Sequence, residues 1–448
     1  RHLQAAVNRV PLAADDLRCH LLIDLARVEA LNHLYGRALM TLQEVERDIG
    51  TPTYISSSAH IRSQFETLRD ALRRALPADR QPLLCYACKA NSNIAILSLL
   101  RTLGAGLEIV SEGELMRGLK AGFDAGRIVS TGVGKQKSEI AACLKAGIHQ
   151  LNVESLPELA MIDQIAGEMG VRAPVVFRLN PDVSGGGHHK ISTGRKQDKF
   201  GLRREDVFAG FRMAQEMKHV QALGLSMHIG SQVFTVERFR DAFEKLPGLV
   251  KDLRAQGFRV DRLDIGGGFP IQYRDEKLLD LDAYATWLRD IILPLEAEII
   301  LEPGRYLVGN AGVLLSRVLY VKESGEKKFL ILDAAMNDLI RPTLYEAWHG
   351  IEPVAPRAGA TTLYDIVGPV CETGDTFATD RALPPLQAGD LVLIKSAGAY
   401  GFCMASNYNT RPLPAEVLVR DGRYDIIRAR QSVQDLLTLD RVPDWLST

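Results

Sequence analysis

Residues 83–91, LLCYACKAN, have the pattern of a short buried strand that ends beside a lysine. Similar apolar segments start at residues 107, 127, 151 and 174. These intervals of about 20 to 24 residues leave room for one strand and one helix each. Several segments are nearly continuous in Val, Ile and Leu, which is typical of parallel strands covered on both faces. The pattern predicts successive strand–helix units.

Eight such strands are predicted, at Leu83–Ala90, Leu107–Ser111, Arg127–Thr131, Leu151–Glu154, Pro174–Leu179, Leu223–Ile229, Arg262–Ile265 and Ile299–Glu302. The helices between them are predicted at 92–103, 113–122, 137–146, 156–168, 204–218, 236–256 and 282–293. Eight units match a (β/α)8 barrel, although a doubly wound open sheet would show the same alternation. We therefore expect an α/β fold in which a TIM barrel is favoured.

After residue 306 the helical periodicity nearly disappears, and Gly and Pro separate short apolar segments. Strands are predicted at Gly309–Tyr320, Lys328–Asp333, Thr362–Val367, Leu391–Lys395 and Ala415–Arg420, with one helix at Asn337–Trp348. This pattern predicts a second, mainly β domain. The predicted units are an N-terminal segment, 1–45, the barrel, 46–306, and the β domain, 307–448. Residues His20–Asp24 are expected to add a strand to the β domain.

The composition excludes several classes of function. The 54 Lys and Arg residues balance 55 Asp and Glu residues, which argues against a nucleic-acid binder with a basic face. No apolar run approaches the roughly 18 residues of a membrane span, and no signal peptide is visible, so a cytoplasmic location is expected. Neither Cys85-x-x-Cys88 nor the pair His188–His189 has further partners at ligand spacing, so no metal is expected.

The functional groups of a barrel gather at the carboxyl ends of its strands. Desolvation at the end of the first strand should lower the pKa of Lys89 and make its amine a nucleophile, unless the side chain reaches solvent. Gly266–Gly268, after the seventh strand, expose backbone N–H groups to a phosphate or form a plain turn. Glu302 ends the eighth strand, where a carboxylate can pair with a protonated pyridine nitrogen. His228 either lies against the same ring or is structural.

Other polar groups accompany them. Ser231 follows the sixth strand and offers a hydroxyl to the same phosphate. Arg341 and Tyr345 are spaced i, i+4 and therefore share one face of a short helix. Cys371 lies beside Glu372 in a turn and could donate a proton, although a free cysteine is more often simply buried.

Together these residues resemble the fold-type III PLP-dependent decarboxylases, whose fold is like that of alanine racemase, and most closely the diaminopimelate-specific members. The matching segments follow the family order: YACKAN (86–91), VSEGEL (110–115), NVES (152–155), FRLNPDV (177–183), HKISTGRKQDKFG (189–201), MHIGSQ (227–232), LDIGGGFP (263–270), LEPGR (301–305), DAAMNDLIRPTLY (333–345), GPVCETGD (368–375) and AGAYG (397–401). The chain departs from the family at Glu108, usually Asp, at Glu112, usually Gly, and at Thr373, usually Ser.

The resemblance implies pyridoxal 5'-phosphate (PLP) as the cofactor and a role for each matching residue. Lys89 would hold PLP as a Schiff base, Glu302 would pair with the pyridine nitrogen, and His228 would pack on the ring. The remaining cofactor contacts would come from Ser231, Gly266, Gly267, Gly268, Gly304, Arg305 and Tyr400. The substrate would be bound by Arg305, Arg341, Tyr345, Glu372 and Tyr400. Cys371 would return a proton after CO2 leaves, and with Glu372 it would come from the neighbouring subunit of a homodimer.

The substrate follows from Arg341. A guanidinium offers a fork for a second carboxylate and should reject a distal ammonium unless an acid neutralises it. We therefore expect decarboxylation of meso-2,6-diaminopimelate to L-lysine, the last step of lysine biosynthesis. The alternative is a decarboxylase of another basic amino acid, namely ornithine, lysine or a D-amino acid; a racemase would use a tyrosine base where this chain has Cys371. The lack of Met at Arg1 is compatible with the fusion to an aspartate kinase found in some family members.

Overall fold

The barrel predicted from the sequence is present and closed. The protein is described here by a computed structural model covering residues 40–181, 199–355 and 359–446. Strand β1 (Thr53–Ser57) belongs to a second sheet, and the next eight strands form the parallel barrel in chain order: β2 (Leu83–Ala87), β3 (Gly106–Ile109), β4 (Ile128–Ser130), β5 (Gln150–Val153), β6 (Ala173–Arg178), β7 (Val220–Ser226), β8 (Arg262–Asp264) and β9 (Glu298–Leu301). Pairing of β9 with β2 closes the barrel, which excludes the open sheet.

Helices cover the outside of the barrel. They are α1 (Ser58–Ala75), α2 (Ile94–Thr102), α3 (Glu112–Lys120), α4 (Lys137–Ala146), α5 (Leu156–Met169), α6 (Arg204–Glu216), α7 (Val236–Phe243), α8 (Leu246–Ala255) and α9 (Leu281–Trp287). The single helix predicted over 236–256 is wrong: it is split into α7 and α8, because Pro247 in the first turn of α8 lacks an N–H and cannot continue α7.

The second sheet contains β1 and eight further strands: β10 (Gly312–Ser324), β11 (Lys327–Leu332), β12 (Ile351–Pro353), β13 (Thr362–Val367), β14 (Thr376–Leu383), β15 (Leu391–Ile394), β16 (Ala415–Arg420) and β17 (Arg423–Arg428). Its strand order is β14-β13-β11-β10-β1-β16-β17, with β15 also paired to β10 and β12 paired to β15. Three short helices accompany it: α10 (Arg305–Val308), α11 (Arg341–Tyr345) and α12 (Val433–Leu437). Because β1 pairs with both β10 and β16, the chain is tied to this sheet just before it enters the barrel.

All five predicted strands of this sheet are present, but the helix predicted over 337–348 is restricted to α11. Pro342 favours a start at this point, and Glu346, in the left-handed conformation, ends the helix. The predicted strand His20–Asp24 lies outside the described residues, and the domain bounds stay predictions. Residues 40–49 are helical. No helix in the described part of the chain is long and apolar enough to cross a membrane.

Side chains alternate across the barrel wall, as strand geometry requires. Residues such as Tyr86 and Leu107 join the core beneath the helices. Cys85, Val129 and Ile300 form a separate small cluster, which we assign to the barrel interior. Cys88 belongs to the helix-facing core and therefore lies across the wall from Cys85. Polar side chains also lie inside the barrel, where Gln150 at the start of β5 donates to Asn152 at 2.9 Å and Asn152 donates to Asp264 at 3.0 Å.

Candidate active site

A cavity of about 640 Å³ opens at the carboxyl ends of the barrel strands. It brings together seven residues selected from the sequence: Lys89, His228, Ser231, Arg305, Arg341, Tyr345 and Tyr400. The loops after the barrel strands supply the first three, and the chain that follows β9 supplies the other four. The cavity therefore lies between the barrel mouth and the β sheet.

Lys89 lies in a single 3-10 turn that directly follows β2. Its Nζ atom is 3.0 Å from Oε2 of Glu108, a fully buried carboxylate on β3. The expectation of a lowered pKa is wrong: burial does lower the pKa of Lys89, but the nearby carboxylates of Glu108 and Glu302 outweigh it and raise the pKa above its ordinary value. Before it can act as a nucleophile, Lys89 must therefore release a proton.

Glu302 is buried at the end of β9, where Thr131 donates a hydrogen bond to its Oε1 at 3.4 Å. Burial raises the pKa of Glu302 well above its usual range, and the neighbouring carboxylates of Asp264 and Glu108 add to the effect. Burial also raises the pKa of Asp264, which is hydrogen-bonded to Glu302. Buried carboxyl groups placed side by side favour a positively charged partner. The carboxylate of Glu302 can accept a hydrogen bond from a protonated pyridine nitrogen, so this part of the site fits that group.

The glycines after β8 form a cradle that no side chain could occupy. A Cβ atom on Gly266, whose φ is +69°, would lie 2.6 Å from Nδ1 of His228, and one on Gly267 would lie 2.2 Å from the carbonyl oxygen of Glu302. Gly304, at the end of the same region, is similarly tight, since its Cβ would lie 2.9 Å from that of Ala87. Glycine is therefore required at these positions by close packing of the backbone against the rest of the site. The N–H group of Gly266 donates to Oδ1 of Asp264 at 3.0 Å, which helps to fix the turn.

His228 is held as a neutral ring. The N–H of Gly267 donates to its Nδ1 at 3.1 Å, so this nitrogen carries no proton. Burial lowers the pKa of His228 well below its ordinary value, and the positive charges of Lys89 and Arg178 act in the same direction. A neutral flat ring beside Lys89 suits packing on a planar cofactor. Together with the glycine cradle and Glu302, it makes the site a fit for PLP.

Two arginines meet at one tyrosine hydroxyl. Nη1 of Arg305 and Nη1 of Arg341 both donate to the Tyr273 oxygen, at 2.8 Å and 2.6 Å. Nε of Arg305 donates to Ser231 Oγ at 3.2 Å, and its guanidinium lies 4.7 Å over the Tyr400 ring. Within the described ranges, no carboxylate pairs with Arg305 or Arg341, although both are buried. Buried guanidinium groups without an acid favour an anionic ligand.

Three residues of this site were not found from the sequence. The sequence does carry a signal for Asp264, because its carboxylate interrupts an apolar strand between Leu263 and Ile265. Tyr273 and His349 lie in irregular segments with no periodicity or motif to distinguish them.

Cys371 and Glu372 do not line the cavity that contains Lys89. Both are exposed in the turn after β13. The Cys371 N–H donates to Oδ1 of Asn409 at 2.9 Å, and Tyr408 hydrogen-bonds to Glu372. Within one chain, the predicted proton donor is therefore separate from the predicted nucleophile.

Glu114 provides a test of the electrostatics around Glu108. Burial and then the charge of Glu108 raise the pKa of this half-buried carboxyl to about 7, against 4.5 for an ordinary Glu. The fold therefore binds this proton more tightly than the unfolded chain, so the stabilisation is complete below about pH 4.5 and is lost as the pH rises through 7. Glu114→Gln should raise the free energy of unfolding by about 1–2 kcal/mol at pH 8, and by less as the pH falls to 5.

Thermal unfolding at several pH values measures this difference. Glu112→Gln is the matched control, because Glu112 is exposed two residues away on the same helix. Identical pH profiles for the two variants would contradict the assignment.

Comparison with known proteins agrees with this geometry. Residues 58–309 match the family described as pyridoxal-dependent decarboxylase, pyridoxal binding domain. Diaminopimelate decarboxylase from Pseudomonas aeruginosa is 47% identical over 89% of this chain and 94% of its own length. The enzyme of the same name from Vibrio cholerae is 43% identical over 90% of this chain and 95% of its own.

Solved structures show the same relationship. Helicobacter pylori diaminopimelate decarboxylase complexed with L-lysine superposes with a TM-score of 0.84 at 40% identity, covering 89% of this chain and 98% of its own. The M. jannaschii enzyme in complex with L-lysine superposes with a TM-score of 0.85 at 37% identity, covering 90% of this chain and 95% of its own. A lysine/ornithine decarboxylase from Vibrio vulnificus superposes with a TM-score of 0.74 at 22% identity, covering 86% of this chain and 98% of its own. At this identity the similarity is one of fold alone.

Proposed function

This chain belongs to the diaminopimelate decarboxylases within the pyridoxal-dependent decarboxylase family, and on that premise we propose that it converts meso-2,6-diaminopimelate to L-lysine and CO2. It is a PLP-dependent carboxy-lyase of lysine biosynthesis. One observation carries the choice of substrate: Arg305 and Arg341 converge on the cavity of Lys89 with no carboxylate partner in the described chain. A second carboxylate on the substrate would neutralise them, whereas the distal ammonium of ornithine or lysine would be repelled.

The roles of the residues follow from their positions. PLP, when bound, accepts the electrons released as the substrate loses CO2. Lys89 would hold the cofactor and give it up to the substrate amine. Glu302 would keep a proton on the pyridine nitrogen, and neutral His228 would support the ring without competing for that proton. The cradle of Gly266–Gly268, with Ser231, would bind the phosphate.

The arginine side of the cavity would orient the substrate. Arg305, Arg341 and Tyr345 would hold the carboxylate that is not lost, so that the other carboxylate is presented at the barrel mouth. Fixing the substrate at both ends restricts rotation about its reacting carbon, which is the main source of rate enhancement from positioning. Tyr400, whose ring lies 4.7 Å from the Arg305 guanidinium, would contact the cofactor and the substrate beside it.

We also propose that the site is completed by a second copy of the chain. Cys371 and Glu372 are exposed and lie apart from the cavity of their own chain, which supports delivery to that of a partner. Cys371 would then donate a proton to the carbon that has lost CO2, and Glu372 would orient the substrate amine. Because that thiol must stay reduced, we propose a reducing compartment, the cytoplasm.

The proposed reaction is tested by incubating PLP-loaded enzyme with meso-diaminopimelate and analysing the products by chiral chromatography. We expect one L-lysine and one CO2 for each substrate consumed. Recovery of isomerised diaminopimelate without CO2 would identify a racemase and refute the proposal.

A further inference from the structure

The hydroxyl of Tyr273 lies where the two arginines meet. The arginines engage its oxygen as an acceptor but not its proton. Its oxygen has two lone pairs, and N–H groups of Arg305 and Arg341 fill both, at 2.8 Å and 2.6 Å. The hydroxyl proton has no acceptor among the residues the structure describes. Tyr273 also lines the cavity. A phenol in this state can act only as a donor, and its proton is available to a ligand.

Arg341 is also held by a hydrogen bond to His349. Nδ1 of this buried histidine lies 2.8 Å from the carbonyl oxygen of Lys395, which can only accept, so Nδ1 carries the ring proton. Nε2 is therefore an acceptor, and it lies 3.3 Å from Nη1 of Arg341. Burial and the charge of Arg341 lower the pKa of His349 to about 3, so the ring stays neutral. Both hydrogens of that Nη1 are then engaged, so further hydrogen bonds from Arg341 can come only from Nε and Nη2.

The orientation of the Arg305 side chain indicates whether Tyr273 would meet the cofactor phosphate or the substrate carboxylate. Its Nε points to Ser231, on the side of the glycine cradle, whereas its Nη1 points to Tyr273 and so toward Arg341. Tyr273 is therefore on the side of Arg305 that faces away from the predicted phosphate position. An anionic oxygen from the substrate fits this position better than one from the cofactor.

We propose that the Tyr273 hydroxyl is a third donor to the distal carboxylate, beside Arg305 and Arg341, and that His349 is a positioning residue for Arg341. This inference rests on the proposed function, because that carboxylate is the one that L-lysine retains. It adds a substrate-binding residue outside the motifs from which the site was predicted.

L-Lysine and cadaverine test the proposal, because they differ only in this carboxylate. Their inhibition constants are measured with PLP-loaded Tyr273→Phe and parent enzyme. We expect the affinity for L-lysine to fall about 10- to 100-fold, as for a lost hydrogen bond to a charged group, while that for cadaverine changes by less than about threefold. KM for meso-diaminopimelate should rise more than kcat falls.

Equal loss of affinity for L-lysine and cadaverine would indicate that Tyr273 has a merely structural role and would overturn the proposal. A lowered affinity for PLP with unchanged L-lysine binding would place the hydroxyl at the phosphate and also overturn it. Tyr320→Phe is the matched control, because Tyr320 is 66% exposed on β10. If Tyr273→Phe does not fold, the test is made with His349→Gln, which must weaken binding of L-lysine more than binding of cadaverine. Failure of the parent to release CO2 from diaminopimelate refutes the proposed function, whereas unchanged L-lysine binding in Tyr273→Phe refutes this inference alone.

Discussion

A mixture of Lys89→Ala and Cys371→Ala enzymes should regain about a quarter of the parent activity, although each variant alone should lose at least about 1,000-fold. Lys89 is the amine inside the cavity, and Cys371 is exposed away from it. If each site takes its amine from one chain and its thiol from the other, random exchange makes half of the dimers mixed. Each mixed dimer then has one intact site of two.

The measurement is CO2 release after the two variants are unfolded and refolded together. A double variant, Lys89→Ala with Cys371→Ala, mixed with Lys89→Ala is the control that should not recover, because no combination restores a site. Lys120→Ala, on an exposed position of α3, controls for loss of a lysine and should keep parent activity. A Cys371→Ala enzyme with full activity, or mixed dimers without recovery, would show that the thiol is not supplied by a partner.

Arg341→Ala should lower kcat/KM for meso-diaminopimelate by about 100-fold or more, because it removes a buried two-pronged donor to a carboxylate. Arg341→Lys keeps the charge but loses the fork and the contacts with Tyr273 and His349, so its loss should be intermediate, about 10-fold. Steady-state kinetics with the PLP-loaded enzymes measure both. Arg420→Ala is the control, since that side chain is 78% exposed. A kcat/KM for Arg341→Ala within about threefold of the parent would contradict the substrate assignment.

The sequence predicts the barrel well for a physical reason. Parallel strands buried on both faces must be apolar, so β2 to β9 are visible as isolated apolar runs, each within a few residues of its predicted bounds. Strands β14 and β17 were missed, because their outer faces are exposed and their sequences mix polar and apolar residues. Strand β12 has only three residues, too few for a periodic signal.

The chemistry of the site is predicted less completely than its location. Lys89 was identified by its position at a strand end, but the sign of its pKa shift depends on Glu108 and Glu302, which only the closed barrel brings near it. Tyr273 and His349 come from loops whose positions are set by the fold rather than by local pattern. Strand ends can be located from periodicity, whereas contacts between distant segments cannot.

Whether the two arginines select the substrate is measured by CO2 release from meso-diaminopimelate, L-lysine and L-ornithine, in parallel with the PLP-loaded enzyme. We expect release from diaminopimelate alone, because only that substrate brings a second carboxylate to Arg305 and Arg341. Release from L-lysine or L-ornithine at a comparable rate would contradict it, since an ammonium would then be accepted where the structure places two buried guanidinium groups.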